Sequence, residues 1–185
     1  MQLARRRPRP EFRWVVWSAP NKRADEARQG ALSVLGRTAK MVVQVHQFRD
    51  GFFPAQFADI KDAFESVARE FTPDIVFTHT RDDRHQDHRV VSDLTWNTFR
   101  DQLILEYEIP KWDGDLGPKN HYVPVTQAVA RRKARTVVNV FGSQRSKTWF
   151  SEETFLSLMR LRGIECKAPE GFAEAFIARK AIISL

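Results

Sequence analysis

Short runs of aromatic and β-branched residues alternate, in the first part of this chain, with stretches whose apolar residues recur every three or four positions. The runs predict buried strands over residues 12–18, 41–46, 74–79 and 103–107. The stretches between them predict amphipathic helices. Strands and helices that alternate with short joints are typical of an α/β fold, in which helices cover both faces of a parallel sheet.

Local signals outside these strands predict the remaining elements. A helix follows the first strand, with Asn21 as its N-terminal cap and Gly36 at its exit. Apolar spacing predicts further helices over residues 57–71 and 90–99. Two more helices are expected over residues 126–141 and 151–162, the second because Glu152 and Glu153 near its start interact favourably with the helix dipole. Residues 109–120 predict a long surface loop, and residues 173–185 a final strand.

The length and composition agree with one domain spanning residues 1–185. The chain is 42% hydrophobic, and its single cysteine, Cys166, cannot form an internal disulfide. No apolar stretch approaches the ~18 residues of a membrane span, and the N-terminus lacks the apolar core of a signal peptide. We therefore expect a soluble, cytoplasmic protein.

The net charge of +7 is local rather than spread over the chain. Residues 1–13 carry a net charge of +4 and residues 131–135 another +4, which leaves −1 for the rest. No nucleic-acid recognition motif accompanies these clusters, so they favour solvated surfaces over nucleic-acid binding.

The segment HTRDDRHQDH, residues 79–88, is the outstanding polar cluster and follows a predicted strand. Ligands of open parallel sheets gather beyond the carboxyl ends of the strands. His85 and His88 are three positions apart, so at the start of a helix they would project together toward a metal ion or a reacting atom. Asp87 is suited to orient an imidazole by accepting its ring proton. The alternative is a solvated, charge-rich loop that caps a helix, and the spacing alone does not decide.

Other polar residues near the predicted strand ends favour structural roles. Asp82 and Asp83 are interpreted as helix-start carboxylates facing free amide groups, in preference to metal ligands. His79 is expected to be a hydrogen-bonded core histidine in preference to a functional one. For His46, at the end of the second strand, both interpretations stay open. His121 is expected to be exposed in the long loop.

The sequence PDIVFTHTRDDRHQDHR resembles the second signature of the LmbE-like, or PIG-L, family of zinc-dependent N-deacetylases, in which a strand ends before H-x-D-H. Further segments are similar to family landmarks: FRDGFFP at residues 48–54, the R-x-x-E and Ala-rich helix in NKRADEARQGALSVLG, and GSQRSK, RLRGIE and AEAF near the C-terminus. The similarity extends from about Phe12 to the end of the chain. It implies a Rossmann-like parallel sheet with helices on both faces.

The resemblance also implies roles for individual residues. His88 would be the zinc ligand of the second signature. His85 would stabilise the oxyanion and protonate the leaving amine, with Asp87 holding it in place. Arg23 and Asp50 match positions that lie near the sugar-binding pocket in relatives.

The sequence departs from the family at its N-terminus. Family members begin with a strand and an A-H-P-D-D-E-like loop, whose His and second Asp complete the zinc site and whose first Asp is the general base. No H-x-D-D precedes Phe12 here. The resemblance then implies that roughly 20 to 30 residues, including the N-terminal strand and motif loop, are missing. Zinc binding is expected to be weak or absent unless His79, Asp82 or Asp83 substitutes.

The function implied by the resemblance is hydrolysis of the N-acetyl group of an N-acetylglucosamine-type sugar or sugar conjugate by a zinc-activated water. The chain as given is expected to be impaired, and a misassigned start codon or a fragment is the simplest explanation. The alternative is a non-catalytic remnant of the fold that binds carbohydrate or another subunit.

Overall fold

The computed structural model describes residues 9–20, 22–36 and 40–181, and it contains strands and helices in alternation. The strands are β1 (Glu11–Val16), β2 (Lys40–Val45), β3 (Ile75–His79), β4 (Leu103–Tyr107), β5 (His121–Val125) and β6 (Phe172–Ile177). The helices are α1 (Lys22–Leu35), α2 (Phe57–Glu70), α3 (Gln86–Thr98), α4 (Gln127–Val140) and α5 (Glu152–Glu165). Among the described residues, no helix combines the length and the apolar character needed to cross a bilayer.

The α/β class is confirmed, and every predicted strand and helix corresponds to an observed one. Gly36 ends α1 with a positive φ of 83°, as its predicted role at the helix exit requires. The predicted cap Asn21 lies outside the described residues, as does the last part of the predicted final strand. The sequence did not predict β5, whose Pro124 interrupts the strand pattern and is tolerated because β5 is an edge strand.

The strands form two sheets among the described residues. β1 and β2 pair in parallel, from Glu11 opposite Lys40 to Val16 opposite Val45. The second sheet has the order β3–β4–β6–β5; β3 and β4 pair in parallel, and β6 is antiparallel to both of its neighbours. Both parallel pairs belong to the predicted architecture, and the antiparallel half is an addition to it.

One hydrophobic cluster joins the two sheets. It consists of buried side chains from α2, α3, β4 and their connections: Phe53, Ile60, Phe64, Val67, Val90, Val91, Leu94, Phe99 and Ile104. Val15 and Trp17, from β1 and its end, pack against this cluster, and so does Val76 of β3. A smaller cluster, around Val125, Ala130 and Met159, connects α4 and α5 with the antiparallel strands.

β1 and β3 each have one edge without a strand partner in the described part of the chain. Both strands contact the same cluster, yet no ladder of hydrogen bonds connects them. Ile75 and Phe77 of β3 are 38% and 45% exposed. The sheet is therefore interrupted between β1 and β3, and unpaired backbone groups lie on both sides of the interruption.

Candidate active site

The polar segment 79–88 forms the turn between β3 and α3, beyond the carboxyl end of β3. His79 is the last residue of β3, His85 is the N-terminal cap of α3, and His88 lies in the first turn of that helix. The loops that follow β2 and β4 contact the same turn through Gly51 and Asp115. The candidate site therefore lies where an α/β sheet ordinarily binds its ligands.

Three imidazoles are stacked at this turn, with His88 in the middle. The ring centroids of His79 and His88 are 4.1 Å apart, and those of His85 and His88 are 4.5 Å apart. His85 and His88 therefore lie on the same side of the helix start, as their spacing predicts.

Asp83 orients His88. Its carboxylate is 1% exposed, and its Oδ2 lies 2.9 Å from Nδ1 of His88. The other oxygen, Oδ1, accepts the backbone N–H of His85 at 2.8 Å. Burial acts to raise the pKa of Asp83, but the hydrogen bond and charge of His88, the His85 N–H and the Lys111 ammonium outweigh it and lower the pKa below its ordinary value. An ionised carboxylate only accepts, so neutral His88 carries its proton on Nδ1 and presents a lone pair on Nε2.

His85 has the opposite arrangement. Its Nδ1 accepts the backbone N–H of Asp87 at 3.3 Å, which also caps α3. A neutral imidazole that accepts through Nδ1 carries its proton on Nε2. Two neighbouring rings thus offer a lone pair, on His88, and an N–H donor, on His85.

The Asp87 carboxylate has a different partner from the one expected. It is 3% exposed and accepts the backbone N–H groups of Gly51, at 2.6 Å, and Phe53, at 3.0 Å. Only its backbone N–H contacts the His85 imidazole. The reason is its place in the first helical turn, where the carboxylate reaches the free amide groups of the loop after β2. Asp87 therefore holds that loop against α3, and the expectation that its carboxylate holds His85 is wrong.

Asp50 lies beside this contact, and Arg23 pairs with it. Asp50 directly precedes Gly51, whose carbonyl oxygen accepts the Gln86 side-chain amide at 3.1 Å. The Arg23 guanidinium, at the start of α1, lies 2.9 Å from the Asp50 carboxylate, and both side chains are partly exposed. The two residues assigned to sugar binding are therefore brought together next to the first turn of α3, with polar atoms open to a ligand.

Two landmarks of the resemblance contact each other one turn further along α1. Glu26, three positions after Arg23, accepts the backbone N–H of Ser143 at 2.9 Å and its hydroxyl at 2.6 Å. Ser143 belongs to the short turn Gly142–Gln144. The R-x-x-E and GSQ segments thus bind each other and fix α1 to the segment after α4.

The described residues do not fit a catalytic metal site. They contain no group of three or more His, Cys, Asp or Glu side chains placed to hold a metal ion, whereas catalytic zinc ordinarily has three protein ligands. Nε2 of His88 is one available donor. Asp83 is engaged by His88, and Asp82 lies 3.3 Å from the Arg179 guanidinium. Nε2 of His79 contacts the Tyr107 hydroxyl at 3.3 Å, and burial, followed by the neighbouring His88, lowers the pKa of His79 to about 3.

Three buried polar atoms without a hydrogen-bond partner lie at the carboxyl ends of the parallel strands. They are Oγ of Ser18, after β1, Nε2 of His46, after β2, and Nδ1 of His79 at the end of β3. Buried polar groups ordinarily have a partner, and these three atoms have none among the described residues. His46 is stacked between Trp17 and Phe48, with ring centroids 5.0 and 5.6 Å away, and burial lowers its pKa.

Sequence reasoning missed the residues that support Asp83. Lys111, in the loop after β4, is 7% exposed; its ammonium lies 3.2 Å from Oδ1 of Asp83 and contacts the Asp115 carboxylate. Asp115 in turn accepts the backbone N–H of Arg84 at 2.8 Å. No local pattern pairs this loop with the turn after β3, since the contact depends on the parallel pairing of β3 and β4. His121, expected in the loop, is exposed but belongs to β5.

Known proteins share this fold. Residues 13–99 match the model of the PIG-L family, described as GlcNAc-PI de-N-acetylase. A conserved protein from Thermus thermophilus is similar with a TM-score of 0.68 at 17% identity, over 95% of this chain and 84% of that chain. A deacetylase triple mutant from the teicoplanin biosynthetic pathway gives a TM-score of 0.65 at 16% identity, over 88% of this chain and 72% of that chain. N,N'-diacetylchitobiose deacetylase from Pyrococcus horikoshii gives a TM-score of 0.57 at 16% identity, over 90% of this chain and 72% of that chain. No match was found among curated proteins.

Proposed function

Since residues 13–99 carry a PIG-L family domain, we propose that this chain takes part in removing the N-acetyl group from an N-acetylglucosamine-type sugar or sugar conjugate. The observation that carries the proposal is the pair of stacked imidazoles, His85 and His88, beyond the carboxyl end of β3. The fold shared with solved deacetylases supports it. So does the position of Arg23 and Asp50 beside the first turn of α3.

His85 is the residue proposed to act on the acetamide. Its Nε2–H donates a hydrogen bond to the carbonyl oxygen while a water oxygen adds to the carbonyl carbon, so the negative charge that develops on oxygen is stabilised. The same proton then passes to the nitrogen as the C–N bond breaks, and the proton that the attacking water loses returns to Nε2 of His85, so the products are acetic acid, which ionises to acetate, and the free amine. Asp87 supports this step as a positioning residue. Its backbone N–H fixes the His85 ring, and its carboxylate holds the Asp50 loop.

His88 is proposed as one zinc ligand of a complete site. Its Nε2 lone pair is kept available by the hydrogen bond between Nδ1 and Asp83. The described residues contain no group of three or more ligands that would complete the site. We therefore expect the chain by itself to be a poor catalyst.

The alternative function is carbohydrate binding without turnover. The observation that favours it is the lack of a three-ligand group among the described residues. The Arg23–Asp50 pair and the Asp50 loop do not depend on a metal ion, so a sugar could be bound where it is not hydrolysed.

Acetate release from N-acetylglucosamine derivatives tests the proposal. The 185-residue chain is compared with a form extended upstream through any H-x-D-D loop in the same reading frame, each with and without a chelator. We expect little turnover from the shorter form and chelator-sensitive turnover from the longer one. Chelator-sensitive turnover by the shorter form would show that one of its own carboxylates serves as the base.

Two histidine variants of the extended form complete the test. His85→Ala removes the oxyanion donor and should lower turnover on the order of 100-fold, about 3 kcal/mol. His121→Ala removes an exposed histidine of β5 and should leave turnover unchanged. Sugar binding without turnover by the extended form would instead support the alternative function.

A further inference from the structure

Trp112 is the most exposed of the large apolar side chains in the described part of the chain, at 69%. It lies in the loop after β4, in a short turn between Lys111 and Asp115. An exposed indole is common by itself and needs no explanation. Trp112 differs from other exposed apolar residues because the loop that carries it is fixed by ion pairs and hydrogen bonds.

The residues on both sides of Trp112 are anchored to the candidate site. The Lys111 side chain is 7% exposed and the Asp115 side chain 4% exposed. Lys111 contacts Asp83, which orients His88, and Asp115 accepts the backbone N–H of Arg84. The backbone that carries Trp112 is therefore fixed to the turn that carries the two imidazoles.

The indole extends away from these anchors toward the segment after α4. Its Nε1–H donates to the Thr148 hydroxyl at 3.4 Å, and its ring meets the edge of Trp149 with the centroids 6.1 Å apart and the planes at 87°. That segment begins at the Gly142–Gln144 turn, which Glu26 binds. Trp112 thus connects the loop after β4 with the segment after α4, and in the described part of the chain its ring contact is with Trp149 and not with either imidazole.

These features together describe a surface suited to a sugar or aryl ring. The indole presents a rigid apolar area that loses little conformational entropy on binding. The C–H groups on one face of a pyranose ring are apolar and pack against such an area, while its hydroxyl groups need polar neighbours. Thr148 and the Lys147 ammonium, which lies 5.4 Å from the Trp149 ring centroid, are polar groups of this kind.

We propose that Trp112 contacts the ring attached to the N-acetylated sugar and so determines which sugar conjugates this site accepts. The proposal rests on the proposed function, since it takes the acetylated ring to lie at His85. Because the neighbouring Lys111 contacts Asp83 while the indole itself contacts Trp149 and Thr148, the indole is assigned to the second ring.

Dissociation constants for two ligands test this assignment. N-acetylglucosamine has one ring and N,N'-diacetylchitobiose has two, and both are titrated by NMR against the wild-type chain, Trp112→Ala and Trp112→Phe. Trp112→Ala should weaken chitobiose binding about tenfold, or about 1.4 kcal/mol, and monosaccharide binding less than twofold. Trp112→Phe keeps an aromatic face and should retain most of the affinity. Ile164→Ala, at a residue 61% exposed on α5, is the matched control and should change neither constant.

Each other result decides against the proposal in its own way. An equal loss of affinity for both ligands in Trp112→Ala would place Trp112 on the acetylated ring. No loss of affinity for either ligand would show that Trp112 does not contact the sugar. Both results would overturn this proposal and leave the proposed function standing. Binding of neither sugar by the wild-type chain would overturn both proposals.

Discussion

Two neighbouring imidazoles at the start of α3 carry their ring protons on opposite nitrogens. The partner of each Nδ1 atom decides this: the Asp83 carboxylate accepts from His88, whereas the Asp87 backbone N–H donates to His85. Both partners are close in sequence, yet H-x-D-H alone does not show which aspartate serves which histidine. That assignment depends on the helix beginning at Gln86, which turns the Asp87 carboxylate away from His85.

Replacing Asp83 tests this assignment in the chain as it exists. Asp83→Ala removes the acceptor at Nδ1 of His88, so neutral His88 should shift from the Nδ1–H toward the Nε2–H tautomer. Nitrogen–proton correlation spectra of the imidazoles, recorded at a pH where the rings are neutral, report the tautomer directly. Asp82→Ala changes the adjacent, largely exposed carboxylate and should leave the His88 spectrum unchanged. An unaltered His88 tautomer in Asp83→Ala would show that another group orients the ring.

His79 should make the fold sensitive to acid. Burial lowers its pKa from 6.5 to about 3, so between these pH values the unfolded chain binds a proton that the folded chain does not. The contribution of His79 to the free energy of unfolding is therefore lost only below pH 6.5. As the pH decreases further, the free energy of unfolding falls by up to about 1.4 kcal/mol per pH unit. Urea unfolding at pH 7, 6 and 5 should show a shallower decrease for His79→Gln than for the wild-type chain. His121→Gln removes an exposed histidine and should keep the wild-type slope.

At the scale of elements, apolar periodicity predicted α2 well because that helix buries one face. Phe57, Ile60, Phe64 and Val67 recur at the predicted steps, and Ile60, Phe64 and Val67 are buried. β4 was predicted with its observed bounds, since a short, mostly apolar run suffices to mark a buried strand. Strand direction was not predictable for β6, because the long loop and β5 intervene and no local pattern encodes their pairing.

The candidate site was predictable only in part, for a related reason. The turn after β3 and its histidines were visible in the sequence because they are contiguous. Their partners, the amide groups of Gly51 and Phe53 and the Lys111 ammonium, lie on the loops after β2 and β4. Such contacts depend on the order of strands in the sheet, and residue spacing along the sequence does not predict them.

At the scale of the whole molecule, the β1–β2 sheet is joined to the rest by side chains and not by a backbone ladder. The contacts include the shared hydrophobic cluster, the Glu26–Ser143 hydrogen bonds, the hydrogen bonds of the loop after β2 to Asp87, and the ion pair between Arg13 and Glu70 at 3.2 Å. Side-chain contacts of this kind can separate without breaking the hydrogen bonds inside either sheet.

The interruption between β1 and β3 should therefore divide the molecule into two cooperative units. Native-state hydrogen exchange read by mass spectrometry should show the amides of β1 and β2 exchanging together, through a partial opening of lower free energy than the one that exposes β4 and β6. Equal protection of all parallel strands would contradict this. Because the Asp50 loop follows β2 directly, an opening that also breaks its hydrogen bonds to Asp87 would withdraw Asp50 from the histidines, so the rate of that opening would limit the lifetime of a bound sugar.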